Sequence, residues 1–110
     1  MRKLIYIPLL LCALFTASAW AAGTQTGQVT KIQIRASDGL VWFNMNGTAA
    51  GHPPCAFYNY WMIKDENSNA GKQQLTQLLA ARSSGQAITV TGGGTCTRWP
   101  NGEDVVEIDY

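Results

Sequence analysis

The chain has 110 residues, of which 46% are hydrophobic and 14% are charged, with eight basic and seven acidic side chains. This length allows one domain. The formal net charge of +1 excludes a protein that binds nucleic acid mainly through a basic surface. The composition is that of an ordinary globular domain and not of a disordered chain.

The first 22 residues have the features of a secretory signal peptide. Arg2 and Lys3 form a positive start, and residues 4–15 form an apolar stretch that is short for a membrane span. Small residues follow, and we expect cleavage near Ala21 or Ala22. The sequence therefore predicts a secreted or periplasmic bacterial protein without membrane attachment after cleavage. The alternatives are an uncleaved anchor and a lipoprotein linked through the single cysteine of this stretch.

Removal of this segment leaves one predicted domain, residues 23–110, with six basic and seven acidic side chains and two cysteines. Because an exported protein meets an oxidising compartment, we expect Cys55 and Cys96 to form a disulfide. Closure of a loop of about 40 residues stabilises a domain by roughly 4 kcal/mol in the chain-entropy model. A core built from so few residues is modest, so this contribution is a large one.

The first half of the domain is predicted to contain three strands. Residues 23–27 are polar and are expected to be frayed. Residues 28–35 alternate as a strand, but the phase slips within it, which predicts a bulge. Residues 40–45 form the second predicted strand and residues 55–63 the third.

The second half is predicted to contain one helix and two strands. The helix begins after Ser68 or Asn69, either of which can cap it, and ends at Gly85. Strands are predicted over residues 86–91 and 105–110. The acidic side chains of the last strand are expected to protect an exposed sheet edge.

One helix between the third and fourth of five short strands predicts a mainly β fold. The layout is that of a five-stranded, OB-fold-like Greek-key barrel, and the bulged first strand suits barrel closure. The alternative is an open antiparallel sheet with the helix packed on one face.

The sequence offers little for catalysis or metal binding. His52 is the only histidine and is expected to be exposed in a loop rich in glycine and proline. No Gly-x-Ser-x-Gly elbow is present. A thiol nucleophile at Cys55 conflicts with its oxidation by Cys96, and these two cysteines with His52 supply only three zinc ligands. We therefore expect a protein that is not an enzyme and has neither a metal nor a cofactor.

Aromatic side chains are numerous for a domain of this size. In alternating strands about half can face inward, so most are expected in the core or between strands. Any that are exposed would form a stacking surface for a sugar ring or a protein partner. The eight are Trp42, Phe43, Phe57, Tyr58, Tyr60, Trp61, Trp99 and Tyr110.

Several segments resemble the B subunits of the subtilase cytotoxin type. The similar segments are residues 27–34, the aromatic second strand, residues 74–81 and residues 84–90. The resemblance implies an OB-fold protomer of an AB5 toxin. In those toxins five copies form a ring that binds sialylated glycans and delivers a separate enzymatic A subunit.

The resemblance also implies a ligand-binding residue. The family places a hydroxyl side chain before the glycine that opens the first strand, and Thr26 stands at that position. At the end of the strand after the helix the toxin has an aromatic pair, whereas this chain has Thr91 and Gly92. A homopentamer with a glycan ligand and an A subunit is thus one hypothesis. The other is a stand-alone periplasmic OB-fold protein with a structural or assembly role and no toxin partner.

Overall fold

The computed structural model describes residues 21–110. The predicted signal peptide lies outside the described residues except for Ala21 and Ala22. Within the described part of the chain, no helix is long and apolar enough to cross a membrane.

The described residues form six strands and one helix. All six strands belong to one sheet, in the spatial order β1-β5-β6-β4-β3-β2. The β4–β6 pair is parallel and the other four neighbouring pairs are antiparallel. The fold is therefore mainly β with a mixed sheet, and a purely antiparallel sheet is excluded. The elements are β1 (Thr24–Gly27), β2 (Val29–Ile34), β3 (Val41–Met45), β4 (Tyr60–Ile63), α1 (Asn69–Ser84), β5 (Ile88–Gly92) and β6 (Glu103–Asp109).

The prediction of five strands was wrong because the segment that was expected to be frayed is ordered as β1. This strand pairs with β5, whereas β2 pairs with β3, so the chain changes partner at Gln28. The backbone N–H of Gln28 donates to Oδ1 of Asn46 over 2.6 Å. A Cβ on Gly27 would overlap the carbonyl oxygen of Asn46, so the break requires a glycine. The two strands at the ends of the spatial order are thus linked by one residue.

Three sequence features have the predicted local structure. The register of β2 against β3 shifts between Val29 and Lys31, which confirms the predicted bulge. Ser68 caps α1, since its hydroxyl accepts from the N–H of Gly71 over 3.0 Å, and Gly85 ends the helix at a φ of 69°. The third predicted strand is shorter than expected, because residues 55–59 form turns and irregular backbone before β4.

The core lies between the inner face of the sheet and α1. Its members alternate with outward-facing residues on β3 and β4, as the two-residue period of a strand requires. Leu78 and Ala81 are the buried apolar residues of α1, and Leu75 packs against them from the helix edge. The fully buried core side chains are Phe43, Trp61, Ile63, Leu78 and Val90.

Candidate functional site

A pocket of about 220 Å³ lies on the face of β3 and β4 that points away from the core. Trp42 falls between the buried Val41 and Phe43, so the strand period directs it outward. Met62 pairs with Trp42 across the two strands and alternates with core residues in the same way. The pocket is lined by Arg35, Leu40, Trp42, Tyr60, Met62 and Trp99.

The floor of the pocket is apolar and its walls are aromatic. Leu40 and Met62 are 2% and 1% exposed and form the floor. Trp42, Tyr60 and Trp99 are half-buried, so each keeps part of its ring surface accessible. A concave apolar site with a few polar groups is the usual form of a small-ligand site.

The loop between β5 and β6 carries Trp99 to the pocket. Gly102 pairs with Trp99 as an isolated bridge, and a Cβ on this glycine would approach Tyr60 within 2.6 Å. The phenol of Tyr60 donates a hydrogen bond to Oδ1 of Asn101 in the same loop. Burial raises the pKa of Tyr60 above its ordinary value, so this donor stays protonated at neutral pH.

Aromatic rings continue outside the pocket. The rings of Tyr58 and Tyr60 stack with centroids 5.6 Å apart and planes inclined by 8°. Tyr58 is 58% exposed and the preceding Phe57 is 80% exposed. We call Trp42, Tyr58, Tyr60 and Trp99 together the aromatic surface. Accessible aromatic rings of this kind offer a stacking face to a ligand or a partner.

Two ion pairs join the segments beside the pocket. Arg35 donates to Asp38 through Nε and a terminal nitrogen, over 3.0 and 2.6 Å, and its guanidinium carbon lies 4.6 Å from the ring centre of Trp99. Arg98 donates to Glu66 over 3.0 and 2.8 Å, and also to the backbone oxygen of Asp38. We call Arg35, Asp38, Glu66 and Arg98 the charge cluster.

The pairing keeps all four members of the charge cluster ionised at neutral pH. The hydrogen bond from Arg35 holds the pKa of Asp38 well below its usual range, and the hydrogen bond from Arg98 lowers the pKa of Glu66. The same two bonds raise the pKa of both arginines. The cluster therefore has two positive and two negative charges and no net charge.

The predicted disulfide is present. Cys55 and Cys96 are bonded, with their Cα atoms 6.2 Å apart. Cys55 precedes Tyr58 and Tyr60 by a few residues, and Cys96 precedes Trp99 in the loop between β5 and β6. The bond thus ties together the two segments that supply most of the aromatic surface. Within residues 21–110, no three His, Cys, Asp or Glu side chains are grouped so as to hold a metal ion.

Asp104 orders the loop that follows the disulfide. Its buried carboxylate accepts from the hydroxyls of Thr95 and Thr97, over 2.7 and 2.6 Å. It also accepts from the backbone N–H groups of Thr97 and Arg98, over 2.9 and 3.1 Å. Burial raises the pKa of Asp104, but these hydrogen bonds outweigh it and the pKa lies below the ordinary value.

The expected edge position of the last strand was wrong. β6 lies between β5 and β4 in the interior of the sheet, and Glu103 and Asp104 have no exposed surface. The alternation of acidic residues gave no sign of this, because the donors that satisfy them come from distant segments.

Glu103 and His52 form a second buried polar group. The Glu103 carboxylate accepts from the N–H groups of Gly23 and Gly94, at 2.9 and 3.0 Å, and lies 2.6 Å from Nδ1 of His52. The imidazole packs on Trp61 with ring centres 4.6 Å apart, and its Nε2 is buried without a hydrogen-bond partner in the described structure. The expectation of an exposed loop histidine was wrong, since 14% of this side chain is accessible.

Thr26 lies on another part of the molecule. It is exposed on β1, and its hydroxyl is 2.9 Å from the hydroxyl of Thr89 on β5. The pocket is built on β3 and β4, and Thr26 is not among its lining residues. The structure therefore does not bring Thr26 together with the aromatic surface.

Comparison with known proteins finds no matching family model, curated protein or solved structure.

Proposed function

We propose that this chain is an exported, non-enzymatic binding module with an OB-fold, and that it binds a glycan on the aromatic surface. The main support for this proposal is the pocket in which Trp42, Tyr60 and Trp99 surround an apolar floor. Sugar rings present flat C–H faces that pack on aromatic rings, while their hydroxyls need a few polar partners. Asn101, held by Tyr60 beside the pocket, offers an amide N–H₂ for such a hydroxyl.

The strand order supports the OB-fold assignment. If β1 and β2 are the two halves of one bent strand, the chain has five strands with the helix between the third and the fourth. The spatial order then begins and ends with halves of the same strand, as in a sheet that closes into a barrel. OB-folds bind oligosaccharides and oligonucleotides on the face of strands two and three and on the adjoining loops. In this numbering those strands are β3 and β4, which carry the pocket.

Charge favours a glycan over a nucleic acid. Single-stranded nucleic acid is bound by stacking together with a positively charged groove that follows the backbone. In the described part of the chain the pocket has one cationic side chain, Arg35, and it is paired with Asp38. The disulfide and the predicted signal peptide both support export.

The environment of Gly92 distinguishes the toxin-like hypothesis from the hypothesis of a stand-alone protein. Thr91 and Gly92 stand where the toxin B subunits carry an aromatic pair, and Gly92 is buried. A Cβ at Gly92 would overlap Oε2 of Glu103, so the buried carboxylate takes the room that a side chain would need. This observation favours the stand-alone protein and a glycan site at the aromatic surface, and not at Thr26. A ring of five subunits in solution would favour the toxin-like alternative.

An oligosaccharide array tests the proposal with the purified protein and two variants. We expect binding by the wild type and by Thr26→Val, and loss of binding by Trp42→Ala with an unchanged circular dichroism spectrum. Absence of binding by the wild type at high glycan density would overturn the proposal. Loss of binding in Thr26→Val with retention in Trp42→Ala would move the site to β1 and restore the toxin-like alternative.

A further inference from the structure

We infer that the glycan bound on the aromatic surface is a neutral sugar and not a sialylated or otherwise anionic one. The inference rests on the proposed glycan-binding function and specifies its ligand class. It differs from what the toxin resemblance implies, because that resemblance leads to sialic acid. The reason is that the charged side chains beside the pocket are already paired with one another.

Among residues 21–110, Arg35 is the one cation that lines the pocket, and its hydrogen bonds are all made within the protein. Two of its nitrogens are bonded to the carboxylate of Asp38, and its planar face lies over the ring of Trp99. A bidentate arginine–carboxylate pair is the arrangement in which a ligand carboxylate would itself be bound. In this protein Asp38 already occupies that place.

Asp38 is held where it is by more than Arg35. Its Oδ1 accepts from the N–H of Leu40 over 3.1 Å, within the turn that joins β2 and β3. Its backbone oxygen accepts from Arg98, and its carboxylate lies 3.8 Å from the same guanidinium. A ligand carboxylate would therefore have to displace the Asp38 carboxylate from these contacts, and it would also meet the negative charge of Asp38.

The remaining surface of the pocket suits an uncharged ring. Leu40 and Met62 supply an apolar floor, and the three accessible aromatic rings supply stacking faces. The hydrogen-bonding groups at the rim are the neutral Tyr60 and Asn101. Stacking and neutral hydrogen bonds do not depend on ionic strength, whereas recognition of a carboxylate by an exposed cation is screened by salt.

The test compares lactose with sialyllactose by NMR, using the indole N–H signals of the three tryptophans in the domain. We expect lactose to shift the signals of Trp42 and Trp99, while the signal of the buried Trp61 stays in place. Sialyllactose should bind no more tightly than lactose, because its carboxylate meets the negative charge of Asp38 and an arginine that is already paired. The affinity should be unchanged between low and high salt.

Asp38→Asn is the matched variant, because the amide keeps an oxygen for the N–H of Leu40 but releases the charge of Arg35. We expect it to favour sialyllactose over lactose by roughly two- to fivefold at low salt, with the preference lost at high salt.

Salt-dependent binding of sialyllactose alone by the wild type would overturn the inference and leave the proposed function standing. Binding of neither lactose, sialyllactose nor a panel of neutral plant and bacterial oligosaccharides would overturn both. Shifts produced by a proline-rich peptide and by none of the sugars would replace the glycan with a protein ligand.

Discussion

Nδ1 of His52 lies 2.6 Å from Oε1 of Glu103, a carboxylate without exposed surface on the interior strand β6. The same carboxylate accepts from Gly23 and Gly94, so it joins the loop before β4, the start of β1 and the loop after β5. These three segments are far apart in the sequence. The Glu103 carboxylate therefore links these three segments at the start of β6.

Replacement of Glu103 by alanine is expected to destabilise the protein by about 3–5 kcal/mol, because it leaves several buried donors without an acceptor. Glu103→Gln keeps an acceptor oxygen and is expected to cost less. Urea unfolding of both variants measures the difference. A loss below about 1 kcal/mol in Glu103→Ala would mean that water replaces the carboxylate without penalty.

Gly92→Ala is expected to destabilise the protein by about 1–3 kcal/mol or more, since its Cβ would overlap Glu103 and approach Trp61 within 2.8 Å. Gly93→Ala is the control. Its Cβ would have one close contact, with Cγ1 of the exposed Val106 side chain at 2.8 Å, and that side chain can give way; the next atoms lie 3.8 Å away. Equal midpoints of thermal unfolding for the two variants would contradict the assignment of Gly92 as a packing glycine.

Features that depend on residues close together in the sequence could be predicted, whereas features that depend on distant residues could not. The caps of α1 depend on Ser68 and Gly85 alone, and the disulfide depends on the number of cysteines and the compartment. The order of β1 depends instead on Gln25, which accepts from the indole of Trp61 and donates to backbone oxygens of residues 45–47. Neither partner is near Gln25 in the sequence, so the polar composition of this segment alone predicts a frayed end.

The number of aromatic residues in the sequence indicates that some could be exposed, but it does not indicate which of them form the aromatic surface. The alternation of β3 indicates that Trp42 and Phe43 point to opposite faces, but it does not say which face is covered by α1. Trp99 reaches the pocket because Asp104 and Cys96 fix the preceding loop, and these contacts span different strands. Tertiary contacts of this kind leave no periodic signal in a single sequence.

Asp104 makes the free energy of unfolding depend on pH in the acidic range. Its pKa is lowered in the folded protein relative to the ordinary value of 3.8, so the folded state binds the proton less readily than the unfolded state. Its contribution is fully present above that value and is lost as the pH falls through the folded pKa. We expect the free energy of unfolding to decrease below about pH 4 in the wild type, and to decrease less in Asp104→Asn. Parallel pH profiles for the two proteins would contradict this role.

Reduction of the disulfide is expected to affect the binding site as well as stability. The bond between Cys55 and Cys96 joins the segment of Tyr58 and Tyr60 to the loop of Trp99. Replacement of both cysteines by serine should cost about 2–5 kcal/mol, because the unfolded chain is no longer constrained. It should also weaken glycan binding under conditions where the variant is still folded, since the two walls of the pocket are then positioned separately.

Isothermal titration of wild type and variant at a temperature well below both unfolding midpoints separates the two effects. Unchanged affinity in a folded variant would show that Asp104 alone positions the loop, and two alkylatable thiols in freshly isolated protein would show that the bond is not formed in the cell.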